Sequence, residues 1–217
     1  MIRFEQIQKT YKTKHGDVHA LDKIDLQIED GEFLVVRGPS GSGKSTFLLT
    51  LGGMLRPSSG RVMIGETDLY QMSVSARAQF RAKEIGFVFQ MFHLVPYLTI
   101  LENVLLSNGL NDRLEAEKRA TNLLHKLGLA DRLTHKPAEL SAGEKQRTAI
   151  TRAMLPQPKL ILADEPTGNL DPKNAEEVIR HLVEYNKEGG TVVMVTHGHN
   201  ADDYANRIVV IENGQIQ

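Results

Sequence analysis

The sequence contains no cysteine and no tryptophan, and aromatic residues make up only 6% of its 217 residues. The absence of cysteine excludes disulfide bonds, thiolate zinc sites and thiol catalysis. Because 26 Lys and Arg residues are matched by 27 Asp and Glu residues, the composition argues against a strongly basic nucleic-acid-binding protein. No run of Val, Ile, Leu, Met and Phe exceeds four residues, whereas a membrane-spanning helix needs about 20 apolar residues.

The N-terminal segment, MIRFEQIQKTY, lacks the apolar stretch of a secretory signal peptide. With 41% hydrophobic residues the chain is too apolar to be disordered. Its length corresponds to one or two domains of about 150 residues, which is enough to build a core without disulfides. The sequence therefore predicts a globular, cytoplasmic protein.

Strand patterns occur in two different forms along the chain. Residues 2–4 predict a short strand, and Ile24, Leu26 and Ile28 alternate with polar residues, as in a half-buried strand of an antiparallel sheet. Beyond residue 32, continuous apolar runs separated by helical stretches predict buried strands of a largely parallel α/β sheet. These runs are residues 33–36, 85–89, 160–163, 192–195 and 208–211.

Residues 91–158 carry helical patterns and no strand pattern. We expect helices over 98–106 and 115–127, the second ending at Gly128 as a C′ glycine, and a third helix after Ser141. The chain is therefore expected to be one domain, with an α/β core at 1–90 and 159–217 and a helical subdomain at 91–158. Near the C-terminus, Asn213-Gly214 predicts a β-hairpin.

Residues 38–45, GPSGSGKS, fit the GxxxxGK[ST] pattern of a phosphate-binding loop. The loop follows an apolar strand and precedes a predicted helix at 46–55, which is the context that the motif requires. Its glycines allow backbone N–H groups to turn inward and form an anion site at a helix N-terminus. Lys44 is expected to reach the β- and γ-phosphates, and Ser45 to bind Mg²⁺. The residues expected to bind the nucleotide here are Gly38, Pro39, Ser40, Gly41, Ser42, Gly43, Lys44, Ser45 and Thr46.

Two adjacent carboxylates, Asp164 and Glu165, follow the apolar run at 160–163. Placing both at a strand end is costly unless a cation or a substrate uses them. In a phosphate-loop protein Asp164 is expected to bind Mg²⁺ and Glu165 to polarise the attacking water as a general base. His197 follows another predicted strand, where it is either a sensor of the γ-phosphate or a structural histidine.

Taken in order, the Walker A motif at 38–45, the segment LSAGE at 140–144, Asp164-Glu165 and His197 resemble the ATP-binding cassette (ABC) ATPases over essentially the whole chain. The resemblance implies an α/β fold: a P-loop NTPase (RecA-like) core with an N-terminal antiparallel β subdomain and a helical insertion that carries the signature motif. It also implies hydrolysis of ATP with Mg²⁺.

The same resemblance implies roles for residues outside the phosphate loop. Tyr11 is similar to the aromatic residue that stacks on adenine, and Gln90 to the Q-loop glutamine that touches Mg²⁺ and senses a transmembrane partner. Asp171 belongs to a D-loop-like segment. His197 is similar to the switch histidine, which favours its catalytic role together with Glu165.

The signature segment departs from the usual LSGGQ of this family at Ala142 and Glu144. Ser141 and the backbone N–H of Gly143 remain, and the resemblance implies that they contact the γ-phosphate of a second subunit, with Glu144 beside them. Ser141 and Glu144 also fit a capping box that opens a helix, and both roles are compatible. Gly198 also departs from the family pattern, in which an acidic or amide residue often follows the switch histidine.

Within the family, the motifs resemble the MacB, lipoprotein-releasing (LolD) and FtsE group. This implies a homodimer that drives separate transmembrane permease subunits in efflux, lipoprotein extraction or mechanotransmission. The chain would lie on the cytoplasmic face of a bacterial inner membrane, held there only through the permease, with no nucleic-acid partner. The alternatives are an FtsE-like regulator of cell-wall hydrolases, a soluble ABC ATPase and a P-loop kinase. An apolar cluster after Gln90 is either core or a groove for the permease; it comprises Phe92, Leu94, Val95 and Leu98.

Overall fold

The computed structural model describes residues 1–14, 16–107 and 113–217. The strands are β1 (Ile2–Thr13), β2 (Gly16–Ile28), β3 (Phe33–Arg37), β4 (Ser59–Ile64), β5 (Thr67–Asp68), β6 (Ile85–Phe89), β7 (Leu160–Asp164), β8 (Thr191–Thr196), β9 (Arg207–Glu212) and β10 (Gln215–Ile216). The α-helices are α1 (Lys44–Leu51), α2 (Val74–Glu84), α3 (Ile100–Leu105), α4 (Arg113–Lys126), α5 (Ala142–Met154) and α6 (Pro172–Lys187).

The larger sheet has six strands in the order β10-β9-β3-β8-β7-β6, all parallel except β10, which pairs antiparallel with β9. Its parallel strands are built on the apolar runs, which confirms those five strand predictions. Both faces are covered: Phe33 and Val35 contact one apolar core, while Leu34 and Val36 contact the other. This two-sided burial explains why the runs are continuous rather than alternating.

Helix α1 packs between the larger sheet and a four-stranded antiparallel sheet of order β2-β1-β4-β5. Phe47 and Leu48 are fully buried in this core, and the ring of Phe47 stacks on that of Phe4 at 4.8 Å. The start of α1 is therefore fixed by packing from both sheets.

The opposite face of the larger sheet is covered by α5 and α6. Ile150 of α5 and Val178 and Leu182 of α6 are buried against it. The helices α3 and α4 contribute to a smaller third core around Val104 and Leu124, which also includes leucines at both ends of α5. In the part of the chain that the structure describes, no helix is both long and apolar enough to cross a membrane.

The strands β1 and β2 are much longer than the patterns at 2–4 and 24–28 predict. They pair as an antiparallel ladder from Ile2 opposite Ile28 to Thr13 opposite Gly16. The outer part of this ladder is largely exposed and polar, so it lacks the apolar alternation that marks a strand. Strands β4 and β5 and the bounds of α2 and α6 were likewise not predicted.

The helices predicted at 46–55 and 98–106 differ from the structure mainly at their ends. The predicted helix at 46–55 runs from Lys44 only to Leu51, because a glycine pair follows, with Gly53 at φ +68°. Helix α3 begins after Thr99, whose side chain forms a capping box with Glu102. The hairpin turn at Asn213-Gly214 is confirmed, with φ +49° and +77°.

Gly128 ends α4 as predicted. It has φ +71°, its N–H donates to the carbonyl of His125, and the next N–H donates to the carbonyl of Leu124. These two bonds form a Schellman motif, which satisfies the last carbonyls of the helix.

Asn103 is fully buried and holds the loop before α3 through four hydrogen bonds. Its Nδ2 donates to the carbonyls of Val95, Leu98 and Thr99, and its Oδ1 accepts from the N–H of Val95. One buried amide side chain therefore fixes the part of this loop that leads directly into α3.

We expect Asn103→Ala to lower the free energy of unfolding by about 2–3 kcal/mol, because it leaves several backbone groups without a partner. Urea unfolding followed by circular dichroism measures this loss. Asn122→Ala is the matched control, since Asn122 is an exposed residue of α4. An equal loss in the two variants would contradict the assigned role.

Candidate functional site

A cavity of about 590 Å³ lies at the carboxyl ends of the parallel strands. Four segments that follow β3, β6, β7 and β8 meet there, because strand ends of the same direction share one edge of the sheet. The lining residues are Ala20, Ser40, Gly41, Gly43, Lys44, Ser45, Thr46, Gln90, Asp164, Glu165 and His197. The structure thus brings together residues from distant parts of the sequence; Ala20 among them was not predicted.

The phosphate loop forms a concave backbone turn at this cavity. Gly41 and Gly43 have φ values of +79° and +107°, which side chains rarely adopt. A Cβ atom on Gly43 would also lie 2.1 Å from the carbonyl oxygen of Ala20. Both the backbone conformation and the close contact with β2 therefore require glycine at this position.

The first turn of α1 opens into the cavity without a capping side chain. Gly43 is the N-cap residue, and no acidic residue lies in the first turn. The N–H groups of such a turn attract an anion. Lys44 places a buried cation beside them, with Nζ donating to the carbonyls of Gly38 and Pro39 at 2.7 and 2.9 Å. The arrangement fits the phosphates of a nucleotide.

Asp164 and Ser45 provide oxygen atoms of the kind that Mg²⁺ prefers. Ser45 Oγ donates to Asp164 Oδ1 at 3.2 Å. Burial raises the pKa of the Asp164 carboxyl, the neighbouring Glu165 charge adds to this effect, and Ser45 opposes it. Among the described residues no cluster of three or more His, Asp or Glu side chains could hold a metal alone. The pair therefore fits an ion that takes its remaining ligands from phosphate and water.

Glu165 and His197 are in direct contact, which the sequence did not indicate. His197 Nδ1 lies 2.9 Å from Glu165 Oε1, and the backbone N–H of His197 donates to Glu165 Oε2 at 3.3 Å. Glu165 has a φ of +45°, a costly conformation for a residue with a long side chain. Its own N–H donates to the carbonyl of Val195, so the end of β8 helps to hold this conformation.

Gln90 lines the cavity directly after β6, and the turn that follows it has an unusual backbone. Phe92 and His93 have φ values of +58° and +47°. Arg152 of α5 donates to the carbonyl oxygens of these two residues at 2.7 and 2.6 Å. Burial lowers the pKa of Arg152. This arginine was missed, because no local pattern relates α5 to the turn.

Of the predicted phosphate-loop residues, Gly38, Pro39 and Ser42 do not line the cavity, and the other predicted binding residues lie outside it. Tyr11 is 40% exposed on the β1–β2 ladder, and Lys9 Nζ lies 5.3 Å from its ring centre. Ser141, Gly143 and Glu144 begin α5, and Asp171 is the N-cap of α6. One chain thus supplies the cavity with the phosphate loop, Gln90, Asp164, Glu165 and His197, but not with the segment at 140–144.

The model of the family described as "ABC transporter" matches residues 21–168 of this chain. The chain belongs to the ABC transporter family. It is 44% identical to the ABC transporter ATP-binding protein YvrO of Bacillus subtilis over all of this chain and 95% of that protein. The lipoprotein-releasing system ATP-binding protein LolD of Shewanella oneidensis is 46% identical, with 98% of this chain and 95% of that protein covered.

The structure agrees with this assignment. It is similar to the dimeric ATP-binding cassette MJ0796 in a post-hydrolysis state bound to ADP and Pi. The TM-score is 0.93 with 39% sequence identity, and all of this chain and 97% of that one are covered. The ABC ATPase fold predicted from the sequence, with its P-loop core and antiparallel β sheet, is confirmed. This ABC protein is an ATPase.

In this ABC ATPase the segment at 140–144 opens α5 through the predicted capping box. Ser141 Oγ accepts from the N–H of Glu144, and Glu144 Oε2 accepts from the N–H of Ser141 at 2.8 Å. Arg132 donates to Glu144 Oε1 at 2.9 Å. Burial works to raise the pKa of Glu144, but the bonds from Arg132 and Ser141 outweigh it and lower the pKa to about 2.

Asn174 joins the start of α5 to the start of α6, a link that sequence reasoning missed. Its Oδ1 accepts from the buried Arg147, and its Nδ2 donates to Asp171 Oδ2 at 2.6 Å. A Cβ atom on Gly143 would lie 2.1 Å from Asn174 Oδ1. Gly143 therefore provides space for the amide that connects Asp171 with α5.

A second missed network lies behind His197. Asp202 forms an ion pair with Arg37, which immediately precedes the phosphate loop, and its other oxygen lies 3.0 Å from His199 Nδ1. Gly198 contributes only a backbone N–H, which donates to Thr196 Oγ1. The segment after β8 is therefore tied to the start of the phosphate loop through Asp202.

We expect Glu144→Gln to lower stability near neutral pH by about 0.5–1 kcal/mol, since glutamine keeps the cap but loses the charge pair with the partly exposed Arg132. The folded pKa of Glu144 lies below its ordinary value of about 4.3, so its contribution is present above that value and is lost as the pH falls. The difference between wild type and variant should therefore shrink from about pH 5 to pH 3.

Denaturant melts at several pH values measure this difference. Glu117→Gln is the matched control, because Glu117 is exposed on α4. A difference that stays constant with pH would show that the charge of Glu144 contributes nothing.

Proposed function

We propose that the chain is the ATP-hydrolysing subunit of a transporter and works as a head-to-tail homodimer that ATP closes. It drives a separate MacB/LolCE-like permease, to which it binds on the cytoplasmic face of the membrane. The observation that carries this proposal is the lining of the cavity: it includes the phosphate loop and both catalytic candidates, whereas the capped start of α5 does not line it.

The dimer follows from the need to complete the phosphate site. Ser141 and the N–H of Gly143 lie at the N-terminus of α5, where the helix dipole favours a negative charge. In a head-to-tail pair, this terminus of one chain would approach the γ-phosphate that the other chain holds. The MJ0796 cassette, which is dimeric in its state bound to ADP and Pi, supports a dimer.

Hydrolysis would proceed at the Glu165–His197 pair. Glu165 takes a proton from a water molecule as the oxygen of that water attacks the γ-phosphorus. The bond to the leaving oxygen of ADP breaks, and the phosphate departs. His197 orients the Glu165 carboxylate through the 2.9 Å contact and presents its exposed ring to the phosphate. The phosphate loop and Lys44 stabilise the negative charge of the transferred group.

Ser45 and Asp164 would hold Mg²⁺, with Gln90 at the same cavity. The ion would neutralise phosphate charge when bound. Tyr11 would contact the adenine from the β1–β2 ladder, which borders the cavity through Ala20. Asp171 would act at the dimer interface through its place at the start of α6.

The segment after Gln90 is the proposed contact with the permease. Phe92, Leu94, Val95 and Leu98 are half-buried and belong to none of the three apolar cores. Met91 and Tyr97 beside them are 68% and 74% exposed. An exposed apolar surface of this kind fits a partner helix. Because Gln90 joins this surface to the cavity, the permease could respond to the nucleotide.

We expect Glu165→Gln to form a stable dimer in saturating MgATP, because ATP binding closes the dimer and hydrolysis no longer reopens it. Multi-angle light scattering should give twice the monomer mass with ATP and the monomer mass without it. Adding Ser141→Arg to Glu165→Gln should keep the protein monomeric, since the new side chain blocks the trans contact. A monomeric Glu165→Gln protein in ATP would contradict the head-to-tail mechanism.

The permease can be identified by co-purification. Tagged Glu165→Gln protein from detergent-solubilised membranes in MgATP should bring with it a membrane protein with four spanning helices and a large extracytoplasmic domain. Tyr97→Asp should abolish this recovery while leaving ATP-dependent dimerisation unchanged. Recovery of a cell-wall hydrolase complex without transported cargo would favour the regulator, and recovery only from cytosol, on nucleic acid or ribosomes, would overturn the proposal.

A further inference from the structure

The segment after β8 carries His197, and the position of Glu165 depends on that residue. Within the described residues, both polar contacts of the Glu165 carboxylate come from His197. The ring Nδ1 lies 2.9 Å from Oε1, and the backbone N–H donates to Oε2 at 3.3 Å. A displacement of His197 would therefore displace the carboxylate that is proposed as the general base.

The stretch between β8 and the next buried residue has little burial of its own. Thr196 is the buried last residue of β8, and Ala201 is fully buried in an apolar core. Between them His197 and His199 are exposed, and Gly198 adds backbone freedom. The fit does not require this glycine: its φ lies outside the left-handed region, and a Cβ atom would meet only Thr196 Oγ1, at 3.6 Å. Burial alone therefore does not hold this stretch, which depends on hydrogen bonds.

Asp202 links this stretch to the rest of the site. Its Oδ2 lies 3.0 Å from Nδ1 of His199, two residues after His197, and its Oδ1 accepts from Nη2 of Arg37. Burial works to raise the pKa of Asp202, but the hydrogen bonds from Arg37 and His199 outweigh it and lower the pKa. The carboxylate is therefore charged at neutral pH and binds both side chains at once.

Arg37 provides the fixed end of this link. It is the last residue of β3 and lies in register with Thr196 of β8 on one side and Val210 of β9 on the other. Its side chain is largely buried, its Nε has no hydrogen-bond partner, and the described residues give it one ion-pair partner, Asp202. A guanidinium buried in this way needs its counter-charge. Because Gly38 follows Arg37 directly, the link ends at the first residue of the phosphate loop.

We propose that Asp202 is a positioning residue for ATP hydrolysis. It joins the segment that carries His197 to Arg37, and thereby holds the Glu165–His197 pair in a fixed position relative to the phosphate loop. A small displacement of a catalytic base lowers the rate strongly, whereas a group that does not touch the nucleotide leaves its binding unchanged. The inference rests on the proposed hydrolytic mechanism and adds to it a link whose failure would leave that mechanism intact.

The steady-state ATPase activity of the purified chain tests this role. We expect Asp202→Asn to lower kcat about tenfold at an unchanged KM for ATP, because asparagine keeps the shape of the side chain but loses its charge. His199→Ala should also lower kcat. It leaves the Arg37–Asp202 pair intact, so no buried charge loses its partner and the fold is maintained. Asp203→Asn is the matched control, since Asp203 is an exposed neighbour and should be replaceable without loss of activity.

A double-mutant cycle with His197→Ala shows whether Asp202 acts through His197. Adding Asp202→Asn or His199→Ala to His197→Ala should lower kcat by a much smaller factor than in the wild type, since the ring that they position is gone. Release of labelled phosphate resolves the low residual rates. In the Glu165→Gln background, Asp202→Asn should leave the ATP-dependent dimer intact, because it does not alter nucleotide binding.

Three results would overturn the inference: both variants keep the wild-type kcat, they lower kcat by the same factor with and without His197, or Asp202→Asn abolishes the ATP-dependent dimer of Glu165→Gln. A failure of the proposed function gives different results. His197→Ala would then hydrolyse ATP at the wild-type rate, or Glu165→Gln alone would stay monomeric in MgATP.

Discussion

The first turn of α1 presents backbone N–H groups that no side chain caps, and the rest of the structure holds this turn in place. Phe47 anchors the helix between the two sheets. The C-terminal hairpin braces the loop: the N–H of Gly214 donates to the carbonyl of Ser42, and the carbonyl of Gly214 accepts from Asp22 of β2. A preorganised anion site of this kind costs little rearrangement when phosphate binds, and it requires both sheets at once.

The parallel sheet constrains the site as well, because its strands end at one edge. The residues that follow those ends therefore line the same cavity: Gln90, Asp164, Glu165 and His197. The start of α5 is held elsewhere by its capping box and by Arg132. A single chain therefore has one anion site at the cavity and, outside the cavity, a second helix terminus that favours negative charge. Their separation within one chain is the basis of the homodimer proposed above.

The features that could be predicted from the sequence are those that depend on neighbouring residues in the chain. Continuous apolar runs located the five parallel strands, and the glycines and Lys44 located the anion site. It did not predict the outer half of β1, where exposed polar residues give no alternation. It also missed the Glu165–His197 contact and the hydrogen bonds from Arg152 to the turn after Gln90. A third feature that it missed is the buried His181, whose ring nitrogens have no hydrogen-bond partner. These features depend on where distant polar groups meet, and the pairing of such groups leaves no periodic pattern in the sequence.

Helix α5 lies at the junction between the nucleotide half-site and the helical segment. Ile150 packs on the larger sheet, and Gly86 of β6 is so close that a Cβ atom would lie 2.5 Å from the carbonyl of Ala153. From the same helix, Arg152 donates hydrogen bonds to the carbonyl oxygens of the turn after Gln90. Helix α5 therefore contacts the turn after Gln90 near its C-terminal end, through Arg152, and begins at Ser141. One helix thus connects the edge of the nucleotide cavity with the segment at 140–144.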